Sequence, residues 1–217
     1  MQKLAHTKRR RGRPAIPVET SAVLSAARQV FASAGYRGAS MSNIAKTCGV
    51  TKAAIYNHYS SKEALYFAVL EEIVASLGGM IEGVTGESDD FFQSLDALGE
   101  GVVRYFGARP EAARLILREF VDNGPFQSGP MAPLFEQVLQ GVVSLLSMGM
   151  VMGEISTQDP QQLAGSVIGI HLHWFAARPM TESLIGADPF SASEIDKRVA
   201  SVKSQVRRLC AGGSDIG

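Results

Sequence analysis

The sequence predicts an all-α fold of about nine helices, with an N-terminal three-helix unit and a larger C-terminal helical domain. Apolar residues recur at helical spacing through most of the 217 residues, and no stretch alternates strictly between apolar and polar. Residues that begin or end helices separate these apolar stripes. The hydrophobic content of 46% is ordinary for a globular protein that is long enough to bury a substantial core.

The N-terminal unit is predicted as one amphipathic helix followed by two short helices. Residues 20–34 carry an apolar stripe that Gly35 ends. Ser40 and Thr51 stand where helix caps are needed, and Gly49 lies between them, where the chain requires a positive φ. Two short helices joined by such a turn form a helix-turn-helix, whose second helix fits the major groove of DNA.

The remaining helices follow from caps and breaks. Ser60-Ser61-Lys62-Glu63 has the form of a capping box that opens a long helix, and residues 83–90 read as a loop. The segment 130–152 is almost uniformly apolar after Glu136, which predicts burial on most of its sides. The last five helices are predicted to begin near Phe91, Pro110, Pro130, Pro160 and Ser191.

Charge is distributed unevenly along a chain whose net charge is zero. Residues 1–62 hold 11 Lys and Arg against a single acid, Glu19, whereas the other 155 residues hold 10 basic and 20 acidic side chains. A net charge of +10 on the first part favours a polyanion, and nucleic acid is the natural one because phosphate neutralisation releases counterions.

Several other classes of protein are disfavoured by the sequence. Cys48 and Cys210 are too few and too far apart for a disulfide framework or a zinc cluster, and His171 and His173 point to different sides of a helix. No apolar run approaches the ~20 residues of a membrane span, and no apolar segment typical of a secretory signal follows the basic N-terminus. We therefore expect a cytoplasmic protein with no metal, no cofactor and no membrane partner.

The segment around the turn resembles the tetracycline-repressor family of transcriptional regulators. The matching elements, which lie within residues 20–66, are Ile44-Ala45, Gly49-Val50-Thr51, Tyr56 with His58-Tyr59, and Ser61-Lys62-Glu63-Ala64-Leu65. The resemblance implies a ligand-responsive regulator, a repressor that binds a palindromic operator as a homodimer and is released by a small molecule. It also implies three parts: a flexible basic arm over 1–17, a DNA-binding domain over 18–66, and a ligand-binding and dimerisation domain over 67–217.

Two departures from the family pattern leave the operator sequence open. A Gly common in the recognition helix is Ala53 here, and a Thr often found before the first cap is Ala39. Small residues at this point let the helix approach the base edges closely. With few polar side chains on that helix, readout of DNA shape gains importance.

The resemblance assigns DNA contacts to the helix-turn-helix, and each has a structural alternative. Thr51 is either a phosphate contact, a plain cap or both, since free N–H groups at a helix N-terminus attract anions. Tyr56 and His58 either contact DNA or pack into the core. The full set implied for the domain is Ser40, Thr51, Lys52, Ala53, Ala54, Tyr56, His58 and Lys62.

The basic arm contains Arg11-Gly12-Arg13-Pro14, which resembles the core of an AT-hook. In that motif two arginines flank a Gly and lie in a narrow A·T minor groove. Arg11 and Arg13 are then DNA contacts. The alternative is a disordered basic tail that attracts phosphate without sequence preference.

Candidates for the ligand pocket and dimer interface come from the C-terminal helices. Each ligand candidate has a purely structural alternative role: the arginines could lie on a solvated helix face, and the aromatic residues could pack in the core. The ligand candidates are Arg114, Arg118, Met148, His171, Trp174 and Phe175. The last two helices carry apolar stripes that a two-fold axis would turn into a four-helix bundle. The interface candidates are Leu163, Val167, Ile170, Ile195, Val199, Val202, Val206 and Leu209.

The sequence leaves two rival functions. An architectural DNA-binding protein would use the arm and the helix-turn-helix without a ligand, so it would show neither an operator palindrome nor inducible release. An enzyme in the C-terminal helices has no nucleophile and base pair, paired carboxylate motif or Gly-rich phosphate loop to support it.

The arm generates the first testable prediction. Removing residues 1–14 should weaken binding most at sites with A·T-rich flanks, because the minor groove there is narrow. The slope of log K against log salt should fall by about 0.9 for each phosphate that the arm no longer neutralises. Fluorescence anisotropy on operators that differ only in their flanks measures both. An equal loss of affinity at A·T-rich and G·C-rich flanks would leave only the basic-tail interpretation.

Overall fold

The computed structural model describes residues 19–84, 90–121 and 129–212. Within these ranges the chain forms ten α-helices and no strand, which confirms the all-α prediction. The helices are α1 Thr20–Gly38, α2 Met41–Cys48, α3 Lys52–Tyr56, α4 Lys62–Val84, α5 Phe91–Ala108, α6 Pro110–Val121, α7 Ala132–Val151, α8 Pro160–Ala176, α9 Arg178–Ile185 and α10 Ala192–Cys210. The separate α9, which the sequence pattern did not predict, accounts for the additional helix.

The turn of the helix-turn-helix has the geometry that its sequence predicts. Gly49 adopts φ 73° and ψ 22°, and Val50 N donates to Ala45 O at 3.0 Å, which closes a Schellman motif. The Ser40 hydroxyl accepts from Asn43 N at 3.1 Å, so α2 is capped as expected. Thr51 caps α3 in the same way, through a 3.1 Å bond from Ala54 N.

The cap of α4 differs from its prediction by one residue. Ala64 N donates to the Ser61 hydroxyl at 3.0 Å, and the helix begins at Lys62. Ser61 is therefore the cap, and the predicted capping box between Ser60 and Glu63 is wrong in register. The reason is that either Ser fits a cap by residue type, so the sequence alone does not select between them.

The first three helices are joined to the rest of the chain mainly through α1. α1 lies against α2, α4 and α6, and α4 also contacts α5 and α7. Phe31 of α1 meets Tyr66 of α4 edge-on with ring centroids 4.7 Å apart. Gly35, where the predicted helix ends, breaks the helical backbone of α1 with φ 71° and ψ 170°. A Cβ there would collide with the Arg118 guanidinium of α6, so α1 and α6 approach closely at this residue.

Burial of α7 on most sides was predicted, and this prediction is wrong. Only Leu145, Leu146 and Gly149 of this helix are fully buried, and Val151 near its end is 89% exposed. Its apolar side chains instead face a cavity and a groove described below. Composition alone does not distinguish a helix that lines an empty space from one that is packed on all sides.

The interface predicted on α8 and α10 also needs correction. Leu163, Val167, Ile195, Val199, Val202 and Val206 are each at most 8% exposed within a single chain. The α10 members of this set are covered largely by α5, against which that helix packs. Ile170 and Leu209 are half-buried. These side chains form the protomer's own core, so a substitution such as Val202→Glu would test folding and not dimerisation.

Two helices are long and apolar enough to cross a membrane by length and composition, contrary to the expectation that no apolar run approaches that length. They are Lys62–Val84 and Ala132–Val151. This is weak support for a membrane span, because core helices of soluble proteins pass the same test. Both helices contribute side chains to the cavity, which accounts for their apolar character.

A pair of glycine substitutions tests the turn. Gly49→Ala should lower the free energy of unfolding by about 1 kcal/mol, because a Cβ is disfavoured at positive φ. Gly79→Ala is the matched control, since Gly79 is an exposed residue inside α4 with open space around it. It should raise stability by up to about 1 kcal/mol through helix propensity. Urea unfolding measures both, and equal effects at the two positions would contradict the assignment of the turn.

Candidate nucleic-acid interface and apolar cavity

α3 presents a polar face to solvent and an apolar anchor to the core. Thr51, Lys52, Ala53 and Tyr56 are exposed, whereas Ile55 is fully buried. The Lys52 ammonium lies 5.7 Å from the centroid of the Tyr56 ring, so the cation and the phenol share one surface. This arrangement offers charge and a hydroxyl to a phosphate backbone while leaving small side chains next to the bases.

The structure places the remaining predicted DNA residues in different settings. His58 is exposed beyond the end of α3, and Ala54 and Ser40 are half-buried. Tyr56 is 44% exposed, so its ring lies at the surface and not in the core. Arg11 and Arg13 fall outside the described residues. The DNA contacts themselves stay predictions.

Lys62 has a structural role that the sequence pattern did not indicate. Its ammonium donates to Tyr36 O at 2.8 Å and to Ala39 O at 3.1 Å, and it lies 4.4 Å from the centroid of the Tyr36 ring. These bonds tie the start of α4 to the segment between α1 and α2. Lys62 therefore positions the helix-turn-helix, and its contact to the flanking DNA backbone stays a prediction.

A cavity of about 140 Å³ lies between six helices, which are α4 to α8 and α10. This is well above the roughly 10–15 Å³ that one water requires, and apolar cavities of such a size stay dry and bind apolar molecules. Each helix contributes at least one side chain to its wall. Examples in chain order are Leu77, Val102, Phe120, Val142, His171 and Val206.

A more open groove of about 510 Å³ adjoins the cavity between α4 and α7. Ile81, Val138 and Leu145 line both spaces and form the wall between them. The side chains of Glu82, Gln137 and Ser144 give the groove its polar character, and no Lys or Arg of the described residues lines it.

Only two of the six predicted ligand residues line either space. His171 is in the cavity wall and Met148 lines the groove. Arg118 reaches Gly35 of α1 instead, and Arg114 lies half-buried on the same helix.

The two aromatic candidates also lie elsewhere. Trp174 lies beneath the Arg198 guanidinium, 4.4 Å from its ring centroid. Phe175 is fully buried between Phe106 and Phe190, at 5.8 Å from each ring, so it is part of the core.

His171 is the polar residue of the cavity wall. It is 7% exposed, and its Nδ1 lies 2.7 Å from Val167 O, while Nε2 is buried without a hydrogen-bond partner. Burial lowers the pKa of His171, and the nearby Arg198 charge lowers it further, against the raising effect of the Val167 and Gly99 carbonyls. Burial also lowers the pKa of Arg198 to about 10.

Two polar contacts link α1, α4 and α6 to one another. The Tyr66 hydroxyl of α4 donates to Glu119 Oε1 of α6, and both residues are buried. Arg28 of α1, only 8% exposed, pairs with Glu72 of α4 at 3.0 Å. Because α6 also places Ile116 and Phe120 in the cavity wall, one helix contacts both functional regions.

The N-terminal helices of this chain match a known protein family. The profile described as "Bacterial regulatory proteins, tetR family" matches residues 23–69. The chain is 31% identical over 159 residues to the HTH-type transcriptional activator FasR of Mycolicibacterium smegmatis, covering 68% of this chain and 73% of FasR. The chain belongs to the tetracycline-repressor (TetR) family. TetR-family proteins are DNA-binding transcriptional regulators and not enzymes, so this chain is one as well.

Other similarities extend over most of the chain. It is 27% identical over 176 residues to the HTH-type transcriptional regulator RutR of Escherichia coli K12, covering 80% of this chain and 81% of RutR. The solved structure of FadR from Bacillus subtilis in complex with stearoyl-CoA has a TM-score of 0.64. It is 18% identical, covers 91% of this chain and 100% of that chain, and shows the TetR fold alone.

The cavity residues were missed because their sequence signal is the same as that of a core. Leu77, Val102 and Val142 fall on apolar stripes that the sequence pattern assigned to packing or left unassigned. The uniform apolarity of segment 130–152 was the usable signal, since a helix that borders an open apolar space needs apolar side chains on more than one face.

The exposed face of α3 yields a prediction about DNA contact. Lys52→Ala and Tyr56→Ala should each weaken operator binding about tenfold while leaving the melting temperature unchanged, because both side chains are exposed. Lys52→Ala should also reduce the salt slope by about one, as expected when one phosphate is no longer neutralised.

Two comparison variants separate contact from folding. Arg104→Ala removes one positive charge from an exposed ion pair on α5 and should change neither stability nor binding appreciably. Lys62→Met keeps an apolar stem over Tyr36 but removes two hydrogen bonds, so it should lower stability by about 1–3 kcal/mol. Normal operator affinity in both α3 variants would show that the residue roles carried over from the family are wrong.

Proposed function

We propose that this protein is a ligand-responsive repressor that binds a palindromic operator as a homodimer and is released by a small molecule in the apolar cavity. The observation that carries the proposal is the course of α4 from the helix-turn-helix to the cavity. This helix follows α3 in the chain, beginning at Lys62, and continues to Leu77 and Ile81 in the cavity wall. A change in the cavity therefore has a direct mechanical route to the DNA-binding helices.

The proposed function divides the chain into three parts. The basic arm over 1–17 and the domain over 18–66 bind the operator through Thr51, Lys52 and Tyr56 with their neighbours. Residues 67–217 bind the effector and the second protomer. Because genomic DNA is the target, the protein acts in the cytoplasm.

Homodimerisation involves the outer faces of α8 and α10, in place of the buried residues first predicted. Gly165, Gly169 and His173 of α8 are exposed on one face, and Ala200 and Ser204 of α10 are exposed on another. α8 and α10 contact each other, and small residues allow the helices of a second copy to approach closely. A two-fold axis there completes a four-helix bundle and holds two recognition helices about one DNA turn, ~34–36 Å, apart.

The switch acts through α6. An occupant of the cavity pushes on Ile116 and Phe120, and the same helix holds Tyr66 through Glu119 and abuts Gly35 through Arg118. A small displacement of α6 therefore tilts α4 and α1 and changes the spacing of the two half-sites. Such coupling between sites is typically worth about 5–150-fold in affinity.

The direction of regulation is part of the proposal. FasR is described as an activator, whereas release on ligand binding makes this protein a repressor of the adjacent promoter.

Footprinting on genomic fragments selected by the purified protein should show a palindrome with half-sites about one DNA turn apart. A reporter gene under that operator should be silent with the protein and active without it. Sedimentation should show a dimer at micromolar concentration.

A cavity-filling substitution tests the switch without knowledge of the effector. Val142→Phe adds bulk inside the cavity and should lower operator affinity about tenfold, as an occupied cavity does. Val151→Phe is the matched control, because it makes the same change on the same helix at a side chain that is 89% exposed. Adding Tyr66→Phe to Val142→Phe should restore part of the affinity by loosening the link to α6. Unchanged or increased affinity for Val142→Phe would contradict release from the cavity.

A further inference from the structure

The cavity wall offers almost no hydrogen-bonding surface. Its side chains are aliphatic or aromatic apart from His171, and no Lys, Arg, Asp or Glu of the described residues contributes to it. The His171 ring does not change this, because Nδ1 lies 2.7 Å from Val167 O and Nε2 is buried against Gly99 of α5. A hydroxyl or an amide placed in the cavity would therefore lose its hydrogen bonds to water without replacing them.

The wall between the cavity and the groove is made of aliphatic side chains that pack on glycines. Ile81 of α4 and Val138 of α7 line both spaces. A Cβ at Gly141 of α7 would lie 3.2 Å from Ile81 Cγ2, and a Cβ at Gly78 of α4 would lie 3.4 Å from Val138 Cγ2. A path between the two spaces therefore requires rotation of these side chains and leaves both helices intact.

The groove on the other side of this wall has a polar edge. Glu82, Gln137 and Ser144 are exposed there. No Lys or Arg lines the groove within the part of the chain that the structure describes, so a carboxylate or phosphate would meet the Glu82 charge without a cation. The two adjoining spaces thus accept different groups, hydrocarbon in the cavity and a polar group without negative charge in the groove.

We propose that the effector is an amphipathic molecule whose hydrocarbon chain, free of polar atoms, fills the cavity. The chain passes between Ile81 and Val138, and its polar end, uncharged or cationic, lies in the groove. The shared wall carries this inference, since a chain that crosses it brings its polar end to the polar edge of the groove. The inference rests on the proposed function, because it names the chemical class of the molecule in that same cavity. Such a molecule differs from stearoyl-CoA, the ligand in the FadR structure, because the phosphates of coenzyme A are anionic.

Alkyl glucosides of increasing chain length test the hydrocarbon part on the full-length protein. Binding is measured without DNA by calorimetry, below the concentration at which each probe forms micelles. Each added CH₂ should raise the affinity about fourfold while the cavity has room, and the gain should stop once it is full. A hydroxyl at the far end of a chain that fills the cavity should weaken binding about tenfold, because it finds no partner there.

Probes with one chain length and different head groups test the polar end. The glucoside and the trimethylammonium compound should each bind about fivefold more tightly than the carboxylate with the same chain, because only the carboxylate is repelled by Glu82. The coenzyme A thioester should also bind more weakly than the glucoside.

Two pairs of variants assign each part of the molecule to its space. Gly79→Phe adds a ring in the groove, whereas Gly83→Phe adds the same ring to an exposed residue of the same helix that lines neither space. Gly79→Phe should weaken glucoside binding about tenfold by steric exclusion of the head group, and Gly83→Phe should leave it unchanged. Val142→Phe should shorten the chain length at which the gain stops, and Val151→Phe should not, because Val151 is exposed.

The outcomes separate this inference from the proposed function. Tighter binding of the carboxylate or the thioester than of the glucoside overturns the inference, as does an unchanged affinity on adding the terminal hydroxyl. Equal effects of Gly79→Phe and Gly83→Phe, or no binding by any uncharged or cationic probe, also overturn it.

Operator release is measured separately by fluorescence anisotropy. Release by a probe that breaks these expectations leaves a ligand-responsive repressor intact. The expected pattern of binding with the operator still bound supports the effector class and overturns release as the function.

Discussion

The buried contact between Tyr66 and Glu119 is the interaction on which the proposed coupling between the helix-turn-helix and the cavity depends. It joins α4, which follows the recognition helix, to α6, which borders the cavity. Leaving a buried polar group unsatisfied costs about 1–3 kcal/mol, and more when the group is charged. Separating the two helices would break a hydrogen bond between two buried groups, so this contact opposes their separation. Whatever moves α6 is expected to move α4 with it.

The apolar cavity is the place where a bound molecule would act on the contact between α4 and α6. Packed protein interiors contain few voids larger than a water molecule, since every unfilled space forfeits dispersion contacts. A space of about 140 Å³ inside a small domain is thus a stability cost that an occupant removes. A ligand that fills it stabilises the arrangement of α4, α6 and α7 that fits around it. If that arrangement differs from the one that matches the operator, ligand and DNA compete through the protein.

The sequence predicted the helix-turn-helix in detail because local chemistry determines it. Ser40, Thr51 and Gly49 each act on backbone groups within a few residues, so their roles follow from residue type and spacing. The apolar stripes were less informative. The stripe through Val199 and Val202 shows that one face of α10 is covered, but not that α5 of the same chain covers it. The cavity residues and Lys62 depend on which helices meet in space, and a single sequence without contact information does not specify that.

The same distinction explains the errors at the ligand site. Arg118 and Trp174 have side chains typical of ligand sites, yet Arg118 reaches Gly35 of α1 and Trp174 packs against Arg198. His171 is a third such side chain and lies in the cavity wall, where its buried Nε2 lacks a partner. Residue type makes all three side chains candidates for ligand binding, and only the packing of the helices shows which of them lines the cavity.

The most direct test of the proposed transmission from the cavity to α3 is the distance between the two recognition helices of the proposed dimer. Spin labels at Asn57, introduced in a Cys48→Ser, Cys210→Ala background, report that distance by pulsed electron resonance. Because Asn57 is exposed just after α3, the label should not disturb the fold. Val142→Phe should shift the mean distance away from that of the parent, while Val151→Phe should leave it unchanged. Identical distance distributions in all three proteins would contradict such transmission.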